Sequence, residues 1–497
     1  MEMEAYKREF IKFLLQTGAL KVFENSSDDR TLKSKRLSPW FVNIGDFDDG
    51  ETSAALGGFY ADAIINSGEN VDLLYGIPDK GREIAVATAN EMARKGKNIS
   101  RFSTRKVPKD HGEASSVDYK GARTIKEFIA ASQHLSQSER IKAWVIGRNP
   151  KDGQAICQLD DVFTAGDAKY EALDMLKFLG DFKLPLLAIA VDRQEVAIDS
   201  KEAIAEYQEK TGTRVVSIVN AVDVYNILRE GNLVSERALE RLSNYIRVYG
   251  TETARKHFGK LEQKIIERDR SVIPACDVET LEQFEDLVKQ TADVEGIGGY
   301  KIGFELGLGY GLPKVVETAR KHTNKPIIYD HQKAGTDIPD TGKNFAKVCK
   351  KAGVDAVIFF PQAGPETERA WIYHALDYGL KVIVGGPMTH AGYKESEGGY
   401  LSDEGVFRMI RNGARAGINN FVAPGTKLAD FKRVKQIVEE EEGIENPVYY
   451  SPGLVEQGGK ISDAAKVAGE RFHGIVGRGI YQAKDMHAAA LEHTSQL

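Results

Sequence analysis

The chain has 497 residues, too many for one ordinary hydrophobic core, so we expect at least two domains. Its 42% hydrophobic and 28% charged residues are typical of a globular protein in water, and its net charge of -6 gives no basic footprint of the kind that binds nucleic acid. No stretch is long and apolar enough to suggest a membrane span. Cys157, Cys276 and Cys349 are far apart, which predicts reduced thiols in a cytoplasmic protein.

The first half of the chain alternates short apolar runs with helical patterns. Before them, residues 1–16 have a helical period and lack the uncharged apolar core of a signal peptide. The alternation predicts βα units around an open, mainly parallel sheet. The apolar runs are residues 71–77, 155–159, 186–191 and 215–219, and the helical patterns are residues 51–65, 82–92, 168–178 and 203–210.

Two acidic residues follow one of these predicted strands. Asp160 and Asp161 precede the sequence Val-Phe-Thr-Ala-Gly, which indicates a turn that opens a helix. Small residues at such a turn let backbone N–H groups approach a phosphate, and paired carboxylates beside it can hold ribose hydroxyls or a magnesium ion carried in with a pyrophosphate. The alternative is a helix N-cap with acidic residues in its first turn.

A basic segment, residues 105–113, lies between the predicted strands. It is polar, contains a glycine and starts with Arg105 and Lys106, so it is typical of an exposed loop that could reach a pyrophosphate. By itself the segment favours a solvated run of charges over a binding loop.

Residues 1 to about 255 resemble orotate phosphoribosyltransferase, a member of the type I phosphoribosyltransferase fold. The resemblance rests on both segments above and on residues 32–39, 75–81 and 192–195. It implies that the acidic pair, with magnesium, holds the ribose of phosphoribosyl pyrophosphate, and that residues 164–167 surround the 5'-phosphate. The remaining pyrophosphate, phosphate and orotate contacts that it implies are Lys33, Phe41, Lys80, Arg105, Lys106, Lys109, His111, Thr164, Ala165, Gly166 and Arg193, of which Lys109 and His111 also take part in catalysis.

Three features depart from that family. Lys35 stands where the family usually has glycine, Asp167 stands where a threonine or serine usually helps to bind the phosphate, and residues 114–153 are longer than the usual connection. A carboxylate that faces a phosphate is repulsive unless it points away or pairs, and Lys169 is the partner we expect for Asp167. These departures motivate an alternative in which the first domain is a non-catalytic module for binding or dimerisation.

The second half begins after a charged, helical stretch. Residues 233–270 contain almost no glycine or proline, so we expect a first domain at residues 1–255, a helical connector at 256–270 and a second domain at 271–497. The second domain repeats an apolar run and a helical pattern about eight times, which predicts a (β/α)8 barrel. The apolar runs are residues 272–276, 300–304, 327–329, 356–360, 381–384, 420–423, 448–450 and 474–476.

The third of these runs leads into a charged stretch, residues 329–338. Asp330, Lys333 and Asp337 are so close in sequence that they indicate either a satisfied ion network or catalysis, because burying several charges is costly unless they neutralise one another. Their spacing alone favours an ion network. Their place at the end of a barrel strand favours catalysis, since barrel enzymes keep their sites at the carboxyl ends of the strands.

Residues from about 268 to 497 resemble orotidine 5'-phosphate decarboxylase, because Asp330, Lys333, Asp337 and Ile338 match its motif with longer gaps. The resemblance implies that Asp330 destabilises the substrate carboxylate and that Lys333 protonates C6. It also implies that Asp337 acts with Thr341 in a neighbouring subunit of a homodimer or larger assembly, and that no cofactor is needed. Further catalytic or substrate contacts that it implies are Asp277, Lys301, Ile338, Thr341, Met388, Thr389, Pro452, Gln457, Gly477 and Arg478.

The order of the two domains resembles that of the fused uridine monophosphate synthases. We therefore expect conversion of orotate to orotidine 5'-phosphate and then to uridine 5'-phosphate. A second alternative for the barrel is a related magnesium-dependent sugar-phosphate decarboxylase or synthase, which shares a similar cluster of two aspartates and a lysine.

Overall fold

The computed structural model describes residues 5–109, 122–163, 166–198, 201–259, 261 and 263–497, apart from the side chains of Asp46, Gln332 and Lys333. The chain forms two compact units, of which the first ends at Ile246 and the second begins at Arg247. The partition therefore lies inside a helix and before the predicted connector, residues 256–270. Among the described residues, no helix is both long and apolar enough to cross a membrane.

The first unit is built around an open sheet with the strand order β10-β9-β8-β5-β6-β7. All neighbours in it are parallel except β6 and β7, so the predicted open, mainly parallel sheet is confirmed. The described strands are β1 (Leu20–Val22), β2 (Arg30–Thr31), β3 (Leu37–Ser38), β4 (Trp40–Val42), β5 (Leu73–Gly76), β6 (Ser100–Thr104), β7 (Val145–Gly147), β8 (Ala155–Leu159), β9 (Lys183–Asp192) and β10 (Arg214–Asn220). The described helices are α1 (Ala5–Gln16), α2 (Gly50–Asn66), α3 (Lys80–Arg94), α4 (Ile125–Ala131), α5 (Gln137–Trp144), α6 (Asp167–Leu179), α7 (Ala203–Thr211), α8 (Ala221–Glu230) and α9 (Glu236–Tyr249).

Strand β8 shows why this sheet forms. Residues 156–159 are all buried, as expected for a parallel strand that is covered by helices on both faces. Helices α2 and α3 pack closely because Gly57 of α2 has no side chain, and a Cβ there would lie 2.5 Å from the carbonyl carbon of Ala87. Strands β5 and β8 pair in parallel, so their carboxyl ends lie side by side. Asp160 follows β8 directly, and Lys80 begins the helix after β5.

The second unit is an eight-stranded, near-closed parallel barrel with the strand order β11-β18-β17-β16-β15-β14-β13-β12. Bridges between Val272 and Ile297 and between Ala275 and Lys301 join its first two strands, so the predicted (β/α)8 barrel is confirmed. The strands are β11 (Arg270–Pro274), β12 (Tyr300–Ile302), β13 (Ile327–Ala334), β14 (Ala356–Phe359), β15 (Lys381–Val384), β16 (Asn420–Val422), β17 (Val448–Ser451) and β18 (Phe472–Val476). The described helices are α10 (Glu252–Phe258), α11 (Leu281–Thr291), α12 (Phe304–Tyr310), α13 (Leu312–Arg320), α14 (Thr341–Lys351), α15 (Pro365–Asp377), α16 (Asp403–Arg415), α17 (Leu428–Gln436), α18 (Ile461–Ala468), α19 (Arg478–Tyr481) and α20 (Met486–Thr494).

The barrel interior is filled mainly by branched and aromatic side chains. Ile273, Ile328, Ile358, Ile383 and Tyr450 all belong to one buried cluster. A filled interior is typical of such barrels and confines any substrate to the mouth at the carboxyl ends of the strands.

Strand β13 is interrupted by a bulge just where the charged stretch begins. Tyr329 pairs with Val357 of β14, whereas the next pair joins Ala334 to Phe359. Four residues of β13, 330–333, thus stand opposite the single residue Ile358. A bulge of this kind re-aims side chains near active sites, and here it accommodates the long gap between Asp330 and Lys333.

Candidate active sites

An open cavity with an empty volume of about 910 Å³ lies at the carboxyl ends of the barrel strands. Every one of the eight strands contributes to its lining, either directly or through the residues that follow it. The cavity brings together nine of the residues predicted from the sequence, namely Asp277, Lys301, Asp330, Met388, Thr389, Pro452, Gln457, Gly477 and Arg478.

A buried lysine holds two carboxylates at one end of this cavity. The Nζ atom of Lys301 lies 3.2 Å from Oδ2 of Asp330 and 3.7 Å from Oδ1 of Asp277. Burial by itself lowers the pKa of Lys301, but the Asp330 and Asp277 carboxylates outweigh burial and the pKa is raised. Oδ1 of Asp277 is buried and accepts no hydrogen bond from any described group. The site is therefore a fixed, charged surface that can stabilise or repel charge on a substrate.

The predicted proton donor lies in the bulge of strand β13. The backbone of Lys333 belongs to this strand, but its ammonium lies outside the described side chains, so its role as proton donor remains a prediction. Next to Asp330, the hydroxyl of Tyr329 forms a short hydrogen bond with Nδ1 of His331. Burial raises the pKa of Tyr329 to about 12, so this hydroxyl stays protonated at neutral pH.

Three predicted residues of the same stretch do not line the cavity of their own chain. Asp337 and Ile338 are exposed, and 58% of Ile338 is accessible to solvent. The N–H of Ile338 donates to Oδ1 of Asp337 at 2.8 Å, and the hydroxyl of Thr341 donates to the Ile338 carbonyl at 2.8 Å. Asp337 is therefore exposed to solvent and does not belong to the lining of the cavity of its own chain.

The opposite end of the cavity is formed by the loop after β17 and by the start of α19. Gln457 and Arg478 are exposed polar groups in the lining. Gly453 has φ +86°, and a Cβ there would lie 2.8 Å from Cγ2 of Thr389 and 2.9 Å from Cγ2 of Thr426. Only glycine therefore lets this loop approach the loop that carries Thr389.

Three residues of this end were not predicted from the sequence. The hydroxyl of Thr426 donates to the carbonyl of Thr389 at 3.2 Å, and Nζ of Lys427 donates to the carbonyl of His390 at 2.6 Å. Tyr481 lines the cavity, and burial and then the Asp277 carboxylate raise its pKa. The only sequence signal for Thr426 and Lys427 was their place just after a barrel strand, and Tyr481 carried none.

The first unit has its own charged site at the ends of β5 and β8. Nζ of Lys169 lies 2.6 Å from Oδ2 of Asp160, and Nζ of Lys80 lies 2.9 Å from Oδ2 of Asp161. Burial raises the pKa of Asp160, although Lys169 opposes this effect. The hydroxyl of Tyr60 donates to the Asp160 carbonyl at 2.7 Å. Lys80, Asp160 and Asp161 thus lie together, as predicted. Both carboxylates form ion pairs, which the alternative of a helix N-cap does not explain.

The expected ion pair between Asp167 and Lys169 is wrong. Lys169 is buried, bonds Asp160 and also donates to the carbonyl of Val162 at 2.5 Å. Asp167 is exposed in the first turn of α6. The two residues are two positions apart on a helix and so face opposite sides.

The turn predicted to bind the 5'-phosphate, residues 164–167, is described only in part. Thr164 and Ala165 lie outside the described residues. Gly166 is the N-cap of α6 and has φ +87°, a conformation that favours glycine over other residues. The 13-residue helix α6 points its N-terminus at this turn, and helix N-termini attract anions.

The basic loop begins on a well-anchored stem. The N–H of Arg105 donates to the Trp144 carbonyl and that of Lys109 to the Ala143 carbonyl, both at 3.0 Å. Lys106 forms a short ion pair with Asp79, next to Lys80. His111 lies outside the described residues. Both carbonyls belong to α5, which lies in the long connection, residues 114–153. This connection therefore anchors the start of the basic loop by two backbone hydrogen bonds.

Arg193 lies in a polar pocket around β4. Its Nη2 atom is 2.7 Å from Oε1 of Glu195 and donates to the hydroxyl of Ser38 at 2.9 Å. Its guanidinium carbon lies 4.0 Å from the ring centre of Trp40. Phe41 is half-buried on β4, and Lys33 is exposed on the preceding turn. Ser38, Trp40 and Glu195 were not predicted as site residues.

Lys35, which stands where the resembled family usually has glycine, adopts a backbone conformation that glycine prefers. Its φ is +67°. A residue with a side chain is strained in this conformation.

Metal-binding side chains are not clustered in the described part of the chain. No group of three or more histidine, cysteine, aspartate or glutamate side chains there could hold a metal ion.

The first half of the chain matches curated orotate phosphoribosyltransferases along their whole length. The enzyme of Shewanella oneidensis is 34% identical over 251 residues, which cover 50% of this chain and 100% of the relative. The chain belongs to the orotate phosphoribosyltransferase family. The orotate phosphoribosyltransferase of Thioalkalivibrio sulfidiphilus is 33% identical over 249 residues, again 50% of this chain and 100% of the relative.

The second half of this orotate phosphoribosyltransferase-family chain matches another family. A family model described as Orotidine 5'-phosphate decarboxylase / HUMPS family covers residues 270–493. The crystal structure of orotidine 5'-monophosphate decarboxylase from Methanocaldococcus jannaschii, complexed with inhibitor BMP, is 26% identical, with a TM-score of 0.40 over 46% of this chain and 98% of that one. The family matches of both halves confirm the two resemblances seen in the sequence.

Proposed function

We propose that the chain catalyses two successive reactions. The first unit transfers ribosyl 5-phosphate from phosphoribosyl pyrophosphate to orotate, and the second decarboxylates the product, orotidine 5'-phosphate, to uridine 5'-phosphate. The observation that carries this proposal is the buried network of Lys301, Asp330 and Asp277 in a barrel that follows an orotate phosphoribosyltransferase domain in the same chain.

Decarboxylation breaks the bond between C6 and the carboxyl carbon, so that CO2 leaves and an electron pair stays at C6. Asp330 disfavours the bound carboxylate by like-charge repulsion, and Lys333 donates a proton to C6. Lys301 compensates the charge of the Asp330 carboxylate and holds it in place, because the raised pKa of Lys301 leaves the lysine charged at neutral pH. A preorganised set of charges is sufficient for such a step, which therefore needs no cofactor.

The distal contacts bind the rest of the nucleotide. Arg478 and Gln457, with the backbone around Pro452 and Gly477, hold the 5'-phosphate. Thr389 hydrogen-bonds the pyrimidine beside Met388. Binding energy from the remote phosphate lowers the chemical barrier by ordering these loops.

The transferase step breaks the bond between C1 of the ribose and the pyrophosphate oxygen and forms a bond from C1 to a ring nitrogen of orotate. Asp160 and Asp161 hold the ribose hydroxyls, and the basic loop with Lys80 holds the departing pyrophosphate. The Asp161 carboxylate fits a magnesium ion that arrives with the pyrophosphate, because its partner Lys80 is half-exposed and can be displaced, whereas Asp160 stays paired with the buried Lys169. Magnesium would supply charge neutralisation there. Arg193, Lys33 and Phe41 orient orotate, and Lys109 and His111 complete the loop.

The active form is a homodimer or a larger assembly of this chain. Asp337 and Thr341 contribute to the decarboxylase site of a second copy, and this role is supported by the outward position of Asp337 relative to its own cavity. If light scattering showed a monomer and the same preparation had full decarboxylase activity, this part of the proposal would be refuted.

The test of the two-step function is an assay of the purified chain with orotate, phosphoribosyl pyrophosphate and magnesium. Orotate should disappear and uridine 5'-phosphate should appear. If orotate were consumed but no uridine 5'-phosphate formed, the proposed decarboxylase activity would be refuted. If the chain decarboxylated supplied orotidine 5'-phosphate but did not consume orotate, the first unit would be a non-catalytic module.

A magnesium-dependent sugar-phosphate decarboxylase or synthase is the second candidate for the barrel, because the matching family model spans both groups. Turnover of orotidine 5'-phosphate in excess EDTA separates the two candidates. A magnesium-dependent barrel would be inactive there, whereas we expect full activity.

A further inference from the structure

Asp337 and Ile338 form an exposed segment, and side chains of the same chain donate hydrogen bonds to the backbone carbonyls of both residues. The hydroxyl of Thr367 donates to the Asp337 carbonyl at 2.9 Å, and the indole N–H of Trp371 donates to the Ile338 carbonyl at 3.1 Å. Thr341 adds a third hydrogen bond, to the same carbonyl as Trp371. An exposed segment rarely needs three side-chain donors for its stability, since water can satisfy its carbonyls.

Thr367 and Trp371 form a rigid base for this segment. They are four residues apart on α15 and therefore lie on one face of the helix. Both are buried, with 4% and 6% of their surfaces exposed. Their donors can move only if α15 itself moves.

The indole of Trp371 is also fixed from the other side. Its ring centre lies 4.9 Å from that of Phe345, and Phe359 meets it edge-on at 5.7 Å. Gly342 of α14 is in direct contact, because a Cβ there would lie 2.7 Å from Cδ1 of Trp371. The hydrogen bond to Ile338 therefore starts from a ring that has no alternative position.

The two hydrogen bonds determine where the Asp337 carboxylate is presented. Its Oδ1 atom accepts the N–H of Ile338, so the side chain follows the backbone that Thr367 and Trp371 hold. A carboxylate that must meet an ammonium of another copy has to be placed accurately, and a displacement of about 1 Å costs about 100-fold in rate.

We propose that Thr367 and Trp371 are positioning residues for decarboxylation and that they act in trans, by setting where Asp337 reaches Lys333 of a second copy. This inference rests on the proposed function of the barrel and on the crossing role of Asp337. Neither residue contacts the cavity of its own chain.

The test uses variants of the full chain that each delete one donor, of which Thr367→Val is nearly isosteric and Trp371→Phe also removes part of the buried ring. Thr367→Val removes the hydroxyl, Trp371→Phe removes the indole N–H, and Thr367→Ser is the matched control that keeps the hydroxyl. We expect kcat/KM for orotidine 5'-phosphate to fall about 10- to 100-fold in the first two and to stay near the wild-type value in the control. Orotate consumption should not change in any of them.

A mixed assembly separates positioning in trans from local damage. The Thr367→Val chain is mixed with a Lys333→Ala chain, which lacks the proton donor but keeps an intact Asp337 segment. In the mixed dimer, the remaining Lys333 meets the intact segment, so activity should exceed the sum of the two separate proteins. Equal activity of Thr367→Val and wild type, or a reduced activity that mixing does not restore, would overturn the inference.

Failure of the proposed function would look different. The wild-type chain itself would then leave orotidine 5'-phosphate unchanged. If Trp371→Phe does not fold, as judged by circular dichroism, the near-isosteric Thr367→Val still decides the question.

Discussion

Nζ of Lys301 lies 3.2 Å from Oδ2 of Asp330, and this contact joins strands β12 and β13 at the mouth of the barrel. The lysine is 6% exposed and also faces Asp277, so one cation compensates two carboxylates. Such an arrangement stores negative charge next to the place where a substrate carboxylate would bind. It also predicts which single substitutions disable the site.

Replacing Lys301 by Met should inactivate the barrel. The change removes the cation that lies 3.2 Å from Asp330 and 3.7 Å from Asp277, and it leaves two carboxylates in the site without compensation. We expect kcat/KM for orotidine 5'-phosphate to fall at least about 100-fold. Because the pKa of Lys301 is raised, the wild-type rate should show no ionisation of this lysine up to pH 9. A Lys301→Arg chain, which keeps the charge, is the control; full activity of Lys301→Met would contradict the assigned network.

Lys333→Ala should abolish decarboxylation and spare orotate consumption. The variant lacks the proton donor to C6 but leaves the first unit unchanged. Chromatography of the reaction mixture should therefore show orotidine 5'-phosphate accumulating in place of uridine 5'-phosphate. If both rates fell together in a folded protein, the model of two separate sites would be incorrect.

Asp161→Asn should have the opposite effect. Its carboxylate pairs with Lys80 and faces the ribose hydroxyls in our proposal, so orotate consumption should fall about 100-fold. Decarboxylation of supplied orotidine 5'-phosphate should stay at the wild-type rate. Glu171→Gln, which neutralises an exposed carboxylate of α6 that has no role in the proposed site, serves as the control and should retain most of its transferase activity.

Asp192→Asn should stabilise the chain more at pH 7.5 than at pH 4.5. Burial is the main cause that raises the pKa of Asp192 to about 6. The folded state therefore binds a proton more tightly than the unfolded state, and stability is lost as the pH rises from about 4 through 6. Asparagine stays neutral and can still accept the Gln194 N–H that Asp192 accepts at 2.7 Å. Thermal unfolding should give a gain equivalent to about 2 kcal/mol at pH 7.5 and a smaller gain at pH 4.5. An equal shift at both pH values would assign the effect to packing instead.

The sequence predicted most of the parallel strands because buried parallel strands are continuous apolar runs. All eight barrel strands were located in this way. Strand β6 was missed because Ser100, Arg101, Ser103 and Thr104 interrupt its apolar character. Strand β7 was missed because it is a short antiparallel strand at the edge of the sheet, outside the parallel pattern. Their pairing depends on contacts with distant parts of the chain.

The candidate sites were predictable where the chemistry follows a strand directly. Asp160 directly follows β8, Lys301 lies in the short strand β12 and Asp330 lies at the bulge of β13, and the structure brings each of them to a charged cluster. The partner of Lys169 was not predictable, because the choice between Asp160 and Asp167 depends on which face of α6 meets the sheet. The hydrogen bonds of Thr426 and Thr367 join loops and helices that are more than 25 residues apart, and no local pattern marks them.

Whether one chain carries out both reactions can be measured directly in one reaction of the intact protein. The assay follows the concentrations of orotate, orotidine 5'-phosphate and uridine 5'-phosphate together. With phosphoribosyl pyrophosphate and magnesium, we expect orotate to be consumed and uridine 5'-phosphate to be formed in equal amounts. After orotate is exhausted and excess EDTA is added, supplied orotidine 5'-phosphate should still be decarboxylated. Absence of uridine 5'-phosphate, or loss of decarboxylation in EDTA, would contradict the account.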